Sequence, residues 1–169
     1  AVDGVDFTLR HSEVIALVGE SGCGKSTLAL LLMGLETPTA GTINFEGRDI
    51  THITDHERKA VRRKIQMVFQ DPYESLNPTQ TIEEIVNEPL FVHGLGADKK
   101  ERDERVKKAM EDSGLKPAEV YLGRFPHELS GGQRQRVVIA AALVLEPEIL
   151  LADEPVSMLD VSIRAEIIN

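Results

Sequence analysis

The feature that most constrains the fold is a glycine-rich string placed directly after an apolar run. Residues 15–18 read Ile-Ala-Leu-Val, a continuous apolar stretch typical of a central strand that is covered on both faces. Residues 19–26 read Gly-Glu-Ser-Gly-Cys-Gly-Lys-Ser, and helical spacing follows from Lys25 through Met33. Glycines let a backbone turn its amides inward, and a helix N-terminus favours anions. The sequence therefore predicts a phosphate-binding loop between a buried strand and a helix.

The same string supplies side chains that can bind a nucleotide. In such a loop Lys25 is predicted to reach the β and γ phosphates, Ser26 to ligate Mg²⁺ and Thr27 to contact the α phosphate. A chance match to these residue types at this spacing has odds on the order of one in a few hundred for a chain of this length. We therefore expect ATP and Mg²⁺ as ligands, held by Gly19, Ser21, Gly22, Cys23, Gly24, Lys25, Ser26 and Thr27.

A second apolar run, residues 149–152, ends in Asp153 and Glu154. An aspartate at the carboxyl end of a buried strand can hold Mg²⁺ through water, and the adjacent glutamate can take a proton from an attacking water. On its own, an Asp-Glu pair after a strand is most often a solvated strand end. Together with a phosphate loop the pair favours nucleotide hydrolysis, with Asp153 as a metal ligand and Glu154 as the catalytic base.

The turn at residues 130–133, Ser-Gly-Gly-Gln, allows two interpretations. Ser130 and Gln133 match a capping box for a helix that ends before Pro147. Capping does not explain Gly131 and Gly132, because glycine weakens a helix and bares its amides. Bare amides at a helix start bind phosphate, yet the chain already has a loop for its own nucleotide. The turn therefore predicts a second nucleotide, brought by a partner chain.

The remaining patterns predict an α/β core. Apolar and polar residues alternate over residues 5–9, as in a half-buried strand, and over residues 42–45, as in an antiparallel element that ends at a Glu-Gly turn. Residues 65–69 and 149–152 are predicted to form two more core strands.

Between those two strands the pattern becomes helical. Thr81 and Glu84 match a capping box, and the charged helix over residues 98–113 is predicted to turn Val106, Ala109 and Met110 inward. We predict three segments: residues 1–73 as the first part of the ATP-binding core with the antiparallel element, residues 74–135 as a helical subdomain, and residues 136–169 as the resumed core.

Composition argues against several classes of protein. The net charge of −9 and the isoelectric point near 5.1 argue against a nucleic-acid partner, since phosphate contacts need a basic face. No apolar run approaches the roughly 18 residues that a membrane-spanning helix needs. The single cysteine, Cys23, rules out an intrachain disulfide framework, and no basic and apolar leader precedes Ala1. We therefore expect a reducing cytoplasm rather than secretion.

With these motifs in this order, the chain resembles the nucleotide-binding domain of ATP-binding cassette (ABC) proteins over nearly its whole length. The resemblance implies a P-loop NTPase core, which is a parallel sheet flanked by helices. It also implies an N-terminal antiparallel β element and an inserted α-helical subdomain, with the core incomplete at the C-terminus.

The resemblance further implies roles for individual positions. Gln70 matches the glutamine that contacts Mg²⁺ and the lytic water, and Asp160 matches the aspartate that crosses the interface between two such domains. Ser130, Gly131 and Gln133 would clamp the γ phosphate of the partner's nucleotide in trans. ATP would then join two copies, and hydrolysis would release them.

Two longer stretches, residues 69–78 and 125–136, resemble the ATPases of oligopeptide and dipeptide importers. This branch implies a second ATPase subunit, identical or sister, together with transmembrane permease subunits and, indirectly, a solute-binding protein. It places the chain on the cytoplasmic face of the cell membrane as a peripheral subunit. Some members of the branch serve nickel or other small solutes, so the cargo stays open.

The chain departs from the family's pattern at several points. Ala141 stands where arginine is usual, and His11 and Ser12 replace a usual basic residue and glycine. The family's switch histidine would lie beyond Asn169, and its adenine-stacking aromatic would precede Ala1. We therefore predict that the chain is a fragment of a longer polypeptide.

Two alternatives to a transport ATPase stay open from the sequence. One is an ABC ATPase of DNA repair or translation without a membrane partner, which the short stretch between Lys25 and Ser130 disfavours because it has no room for a long coiled coil. The other is a fragment that binds nucleotide without independent turnover.

Overall fold

The computed structural model describes residues 2–69 and 75–153. The predicted site residues Gln70, Glu154 and Asp160 lie outside this range and stay predictions. The chain divides into two compact units, Ala1–Arg58 and Lys59–Asn169. None of the described helices is long and apolar enough to cross a membrane.

The described residues of the first unit form one complete helix, one β-hairpin and the first turn of a second helix. Helix α1, Lys25–Leu32, follows the glycine-rich string, and the chain leaves it at Gly34, whose φ of 62° is left-handed. Strands β1, Asn44–Phe45, and β2, Arg48–Asp49, pair antiparallel around Glu46 and Gly47. The φ angles of these two turn residues, 51° and 77°, are those that a tight two-residue hairpin requires. The predicted helix and antiparallel element are confirmed.

Two strands predicted in this unit are not formed. Residues 5–9 and 15–18 belong to no strand, and Val5 and Val18 are 52% and 95% exposed. Within the described part of the chain, strand pairing is confined to β1 with β2 and β3 with β4. The prediction is wrong here because an apolar pattern reports only which side chains favour burial, whereas a strand also needs a neighbour to accept its backbone hydrogen bonds.

Helix α2, Asp55–Lys64, crosses the division between the units and leads into the parallel pair of the second unit. Strand β3, Ile65–Val68, lies beside β4, Ile149–Ala152, with Ile65 opposite Ile149 and Val68 opposite Ala152. Both strands were predicted, and both are confirmed. Parallel pairing brings the carboxyl ends of β3 and β4 to the same edge.

The helices described wholly within the second unit are α3 (Ile82–His93), α4 (Lys99–Asp112), α5 (Glu119–Leu122) and α6 (Gly131–Leu143), with a short 3-10 turn at Pro126–Glu128. Asp98 caps α4, and Gly94 ends α3 in a left-handed conformation.

The predicted capping box of α3 is confirmed. The Glu84 carboxylate accepts the Thr81 N–H at 2.7 Å and the Thr81 hydroxyl at 3.0 Å. These two hydrogen bonds, the backbone one first, lower the pKa of Glu84 below its ordinary value of 4.5. The box therefore carries a negative charge at the helix N-terminus, where the dipole favours it.

A single apolar core joins α3, α4 and α6 to β3. Val106, Ala109 and Met110 of α4 are buried in it, as predicted. Burying each large aliphatic side chain contributes about 1.5–3 kcal/mol, so this core fixes the helices to one another. Its largest fully buried apolar residues are Val68, Ile82, Val86, Leu90, Val106, Met110, Leu115, Val137 and Val144.

Candidate functional site

The N-terminus of α1 is built without a side-chain cap. Its N-cap is Gly24, and no side chain in the described part of the chain bonds its first turn, which also lacks an acidic residue. The Leu28 N–H donates to the Gly24 carbonyl at 2.9 Å, which is the first bond of the helix. The amides of Lys25, Ser26 and Thr27 therefore have no intrahelical acceptor. Together with the helix dipole, these amides make an anion-binding site.

Three glycines shape the loop for different reasons. Gly22 and Gly24 have φ angles of 81° and 103°, which other residues adopt only with strain. Gly19 is needed for space, since a Cβ there would lie 2.6 Å from the Cys23 sulfur. The loop conformation is thus dictated by the glycine positions that the sequence analysis singled out.

Lys25 folds back across the loop that precedes it. Its Nζ donates to the Gly19 carbonyl at 2.8 Å and to the Glu20 carbonyl at 3.0 Å. Ser26 and Thr27 follow it and are exposed. The loop and the start of α1 thus carry an ammonium group, uncapped amides and two exposed hydroxyls.

The turn at residues 130–133 is a closed capping box. The Ser130 Oγ accepts the Gln133 N–H at 3.3 Å, and the Gln133 Oε1 accepts the Ser130 N–H at 3.0 Å. Gly132 is buried, so packing gives one reason for the absence of a side chain there that the sequence did not reveal. The Gly131 and Gly132 amides have no acceptor within α6, because the helix bonds begin with the Arg134 N–H to the Ser130 carbonyl.

Two arginines that the sequence analysis did not single out hold this turn. Arg134 donates through Nε to the Leu129 carbonyl at 3.1 Å, and Arg136 donates through Nη1 to the Ser113 carbonyl at 3.1 Å. The Arg134 bond is local, because Leu129 lies only five residues earlier in the sequence. No local pattern in the sequence pairs Arg136 with Ser113, which belongs to a different helix.

Asp153 lies at the carboxyl end of β4. Its N–H donates to the Val68 carbonyl at 3.0 Å, which continues the parallel pairing one step beyond the strands. The residue is half-buried. Its carboxylate is an oxygen donor of the kind that Mg²⁺ prefers, as is the Ser26 hydroxyl. Among the described residues, no group of three or more His, Cys, Asp or Glu side chains is placed to hold a metal.

The predicted site residues are distributed over both units. The phosphate loop, with Lys25 and Ser26, lies in the first unit, whereas Asp153 and the turn at Ser130 lie in the second. The roles predicted for these residues from the sequence stay predictions.

Comparison with known proteins assigns the chain to a family. The ABC transporter family profile matches residues 2–157. The oligopeptide transport ATP-binding protein AppF of Bacillus subtilis (strain 168) is 52% identical over 170 residues, covering 100% of this chain and 51% of the relative. The dipeptide transport ATP-binding protein DppF of Escherichia coli (strain K12) is 47% identical over 169 residues, covering 100% of this chain and 50% of the relative. The chain thus spans about half the length of the curated relatives it matches.

A solved structure agrees with this assignment. The dimeric post-hydrolysis state of the ATP-binding cassette MJ0796, bound to ADP and Pi, is 35% identical, with a TM-score of 0.83 over 95% of this chain and 68% of that one. The predicted fold class and the resemblance to oligopeptide and dipeptide importer ATPases are both confirmed. The chain therefore belongs to the ABC transporter family.

Proposed function

We propose that the chain binds and hydrolyses ATP to power the import of peptides or related small solutes, through dimerisation of two nucleotide-binding domains. The observation that carries this proposal is the uncapped start of α1, where glycine geometry and Lys25 form a phosphate site. The relatives named for oligopeptide and dipeptide transport support the cargo class.

The phosphate loop binds the nucleotide through groups that are already in place. The amides of Lys25, Ser26 and Thr27 face no helical acceptor, so they can donate to phosphate oxygens. Lys25 exchanges the Gly19 and Glu20 carbonyls for the β and γ phosphates, which are stronger acceptors because they are charged.

Mg²⁺ completes the proposed site. Ser26, Gln70 and Asp153 would hold the ion, which neutralises charge on the phosphates when it is bound. Glu154 follows Asp153 and is proposed as the base that takes a proton from the attacking water, with Gln70 helping to place that water. Lys25 stabilises the transferred phosphoryl group.

The turn at residues 130–133 is proposed to act on the nucleotide of a second ATPase subunit. The Ser130 side chain is exposed at the helix start, and the adjacent Gly131 amide has no acceptor within α6. Asp160 is proposed to cross the interface between the two subunits. The dimeric state of the MJ0796 cassette supports pairing, and we propose that the second subunit is identical or a sister.

The proposed setting is the cytoplasmic face of the cell membrane. There the chain would sit as a peripheral subunit against transmembrane permease subunits, which receive solute from a solute-binding protein. The support is the similarity to ATP-binding proteins of peptide transport over the whole chain.

Nucleotide binding and turnover of the complete protein test the proposal. We expect Glu154→Gln to retain MgATP binding and to lower turnover about a hundredfold or more, the range for loss of a general base. Glu148→Gln is the matched control: Glu148 immediately precedes β4 and forms an exposed ion pair with Lys64 at 2.7 Å, a contact worth little. Absence of MgATP binding by the wild-type protein, or equal turnover of the two variants, would contradict the proposal.

A further inference from the structure

Within residues 2–69 and 75–153, three arginines lie against left-handed glycines. Arg58 donates through Nη1 to the Gly34 carbonyl and Arg102 to the Gly96 carbonyl, whereas Arg136 donates to the Ser113 carbonyl, just before Gly114. These glycines have φ angles of 62°, 80° and 86°. A Cβ on any of them would overlap the arginine side chain beside it. A side chain on any of these glycines would therefore require the arginine beside it to shift.

Arg136 differs from the other two in what it joins. It lies on α6, in the turn that follows Gln133, and its acceptor is the C-cap residue of α4. Ser113 is buried, and Arg136 is half-buried over Gly114. The C-terminal end of a helix carries partial negative charge, so a guanidinium there makes a charge-assisted hydrogen bond.

The start of α6 depends on such support. Gly131 and Gly132 are poor helix formers, and together they make up half of the first turn. Arg134 anchors the segment before the turn through the buried Leu129, and Arg136 anchors the helix after it through Ser113. Since Arg136 is four residues from Gly132, both lie on the same face of α6.

We infer that Arg136 is a positioning residue for the turn at residues 130–133, holding it on the end of α4 at the place where it engages the nucleotide of a second subunit. The inference rests on the proposed function of that turn. Arg136 itself contacts no nucleotide and acts through the position of Ser130 and Gly131. A misplacement of about 1 Å far from the chemistry can lower a rate about a hundredfold.

The test uses the complete protein carrying Glu154→Gln, so that an ATP-joined dimer accumulates. Arg136→Ala removes the anchor, and Gly114→Ala displaces it without changing the arginine. Arg102→Ala and Gly96→Ala are the matched controls, because the Arg102 bond to Gly96 has the same length, 3.1 Å, and joins α4 to the segment before it rather than to α6. ATP-dependent dimerisation is measured by analytical ultracentrifugation, nucleotide affinity with a fluorescent ATP analogue, and unfolding by thermal melting.

We expect Arg136→Ala and Gly114→Ala to weaken dimerisation about tenfold or more while nucleotide affinity changes less than about twofold. Arg136→Lys keeps the charge but not the planar fork, so it should recover part of the loss. Both control variants should melt at similarly lowered temperatures and dimerise normally.

If Arg136→Ala and Gly114→Ala dimerise as well as the control variants, the inference is wrong. The proposed function would not be affected by that result. If the parent Glu154→Gln protein binds ATP but does not dimerise, the proposed pairing fails and the inference fails with it. Should Arg136→Ala not fold, Arg136→Lys and Gly114→Ala decide the question by the same comparison.

Discussion

The starts of α1 and α6 are both rich in glycine, yet they use their backbone amides differently. At α1 the N-cap is Gly24, and no described side chain bonds the first turn. At α6 the Ser130 Oγ takes up the Gln133 amide, and Gly132 is buried by packing. At the start of α1 the backbone amides stay available to a ligand. At the start of α6 the Ser130 side chain accepts one of them, so fewer amides are available.

This difference explains why one site is proposed to bind in cis and the other in trans. The α1 site combines its amides with the Lys25 ammonium, and we propose that it binds phosphate without help from a second subunit. The α6 site offers the Ser130 hydroxyl and the Gly131 amide, while Arg134 and Arg136 donate to the Leu129 and Ser113 carbonyls. We propose that this site acts on a nucleotide already held by another subunit.

The largest effect is expected at the α1 site. Lys25→Ala removes charge-assisted hydrogen bonds to phosphate, so ATP affinity should fall by about 3 kcal/mol, or about a hundredfold. Lys99→Ala is the matched control, since Lys99 is also the first residue of a helix, but of one that Asp98 caps. Isothermal titration with MgATP measures both. If both variants lost the same amount of ATP affinity, the proposed difference between capped and uncapped helix starts would be wrong.

Alkylation of Cys23 is the next test of the same loop. The thiol is exposed and belongs to the phosphate loop, so an added group should block ATP by occupying its space. We expect N-ethylmaleimide to abolish nucleotide binding and saturating MgATP to slow the labelling at least about tenfold. Mass spectrometry of the labelled fraction gives the rates. The same rate with and without MgATP would argue that the nucleotide lies elsewhere.

A smaller effect should separate capping from partner binding at α6. Ser130→Ala and Thr81→Ala each remove one capping box, and each should lower the free energy of unfolding by about 1 kcal/mol. Only Ser130→Ala should also weaken ATP-dependent dimerisation, because Thr81 has no proposed role in trans. If Thr81→Ala weakens dimerisation as much, Ser130 contributes to stability alone.

The smallest expected effect is the response of the capping boxes of α3 and α6 to low pH. Thr81 N–H and hydroxyl hydrogen bonds lower the pKa of Glu84, so its contribution to stability is complete above the ordinary value of 4.5 and is lost as the pH falls through the lowered value. Gln133 does not titrate, so the start of α6 should not respond. Amide hydrogen exchange between pH 5 and pH 2 should show fraying at the start of α3 but not at the start of α6, and Glu84→Gln should lose this pH dependence. Equal fraying of both helices would refute this assignment.

Local patterns predicted most of what the structure shows. Helix α1, the hairpin at Glu46 and Gly47, and the boxes at Thr81 and Ser130 depend on residues within a few positions of one another. Strands β3 and β4 were recognisable because continuous apolar runs are typical of a parallel core.

What the sequence did not predict depends on contacts between distant positions. The strands expected over residues 5–9 and 15–18 have no pairing partner among the described residues. The burial of Gly132 and the Arg136 bond to Ser113 arise from tertiary packing, which no single segment specifies. The division into segments 1–73, 74–135 and 136–169 stays a prediction.

The most direct test of the account is ATP turnover by a mixture of two inactive variants of the complete protein. Lys25→Ala disables the phosphate loop, and Gly131→Asp places a carboxylate where the partner's phosphate should bind, while an acidic residue at a helix start preserves folding. If the two motifs act on one nucleotide from different subunits, the mixed dimer contains one intact site and the mixture regains turnover. A mixture no more active than the sum of its two components would contradict the proposed composite site.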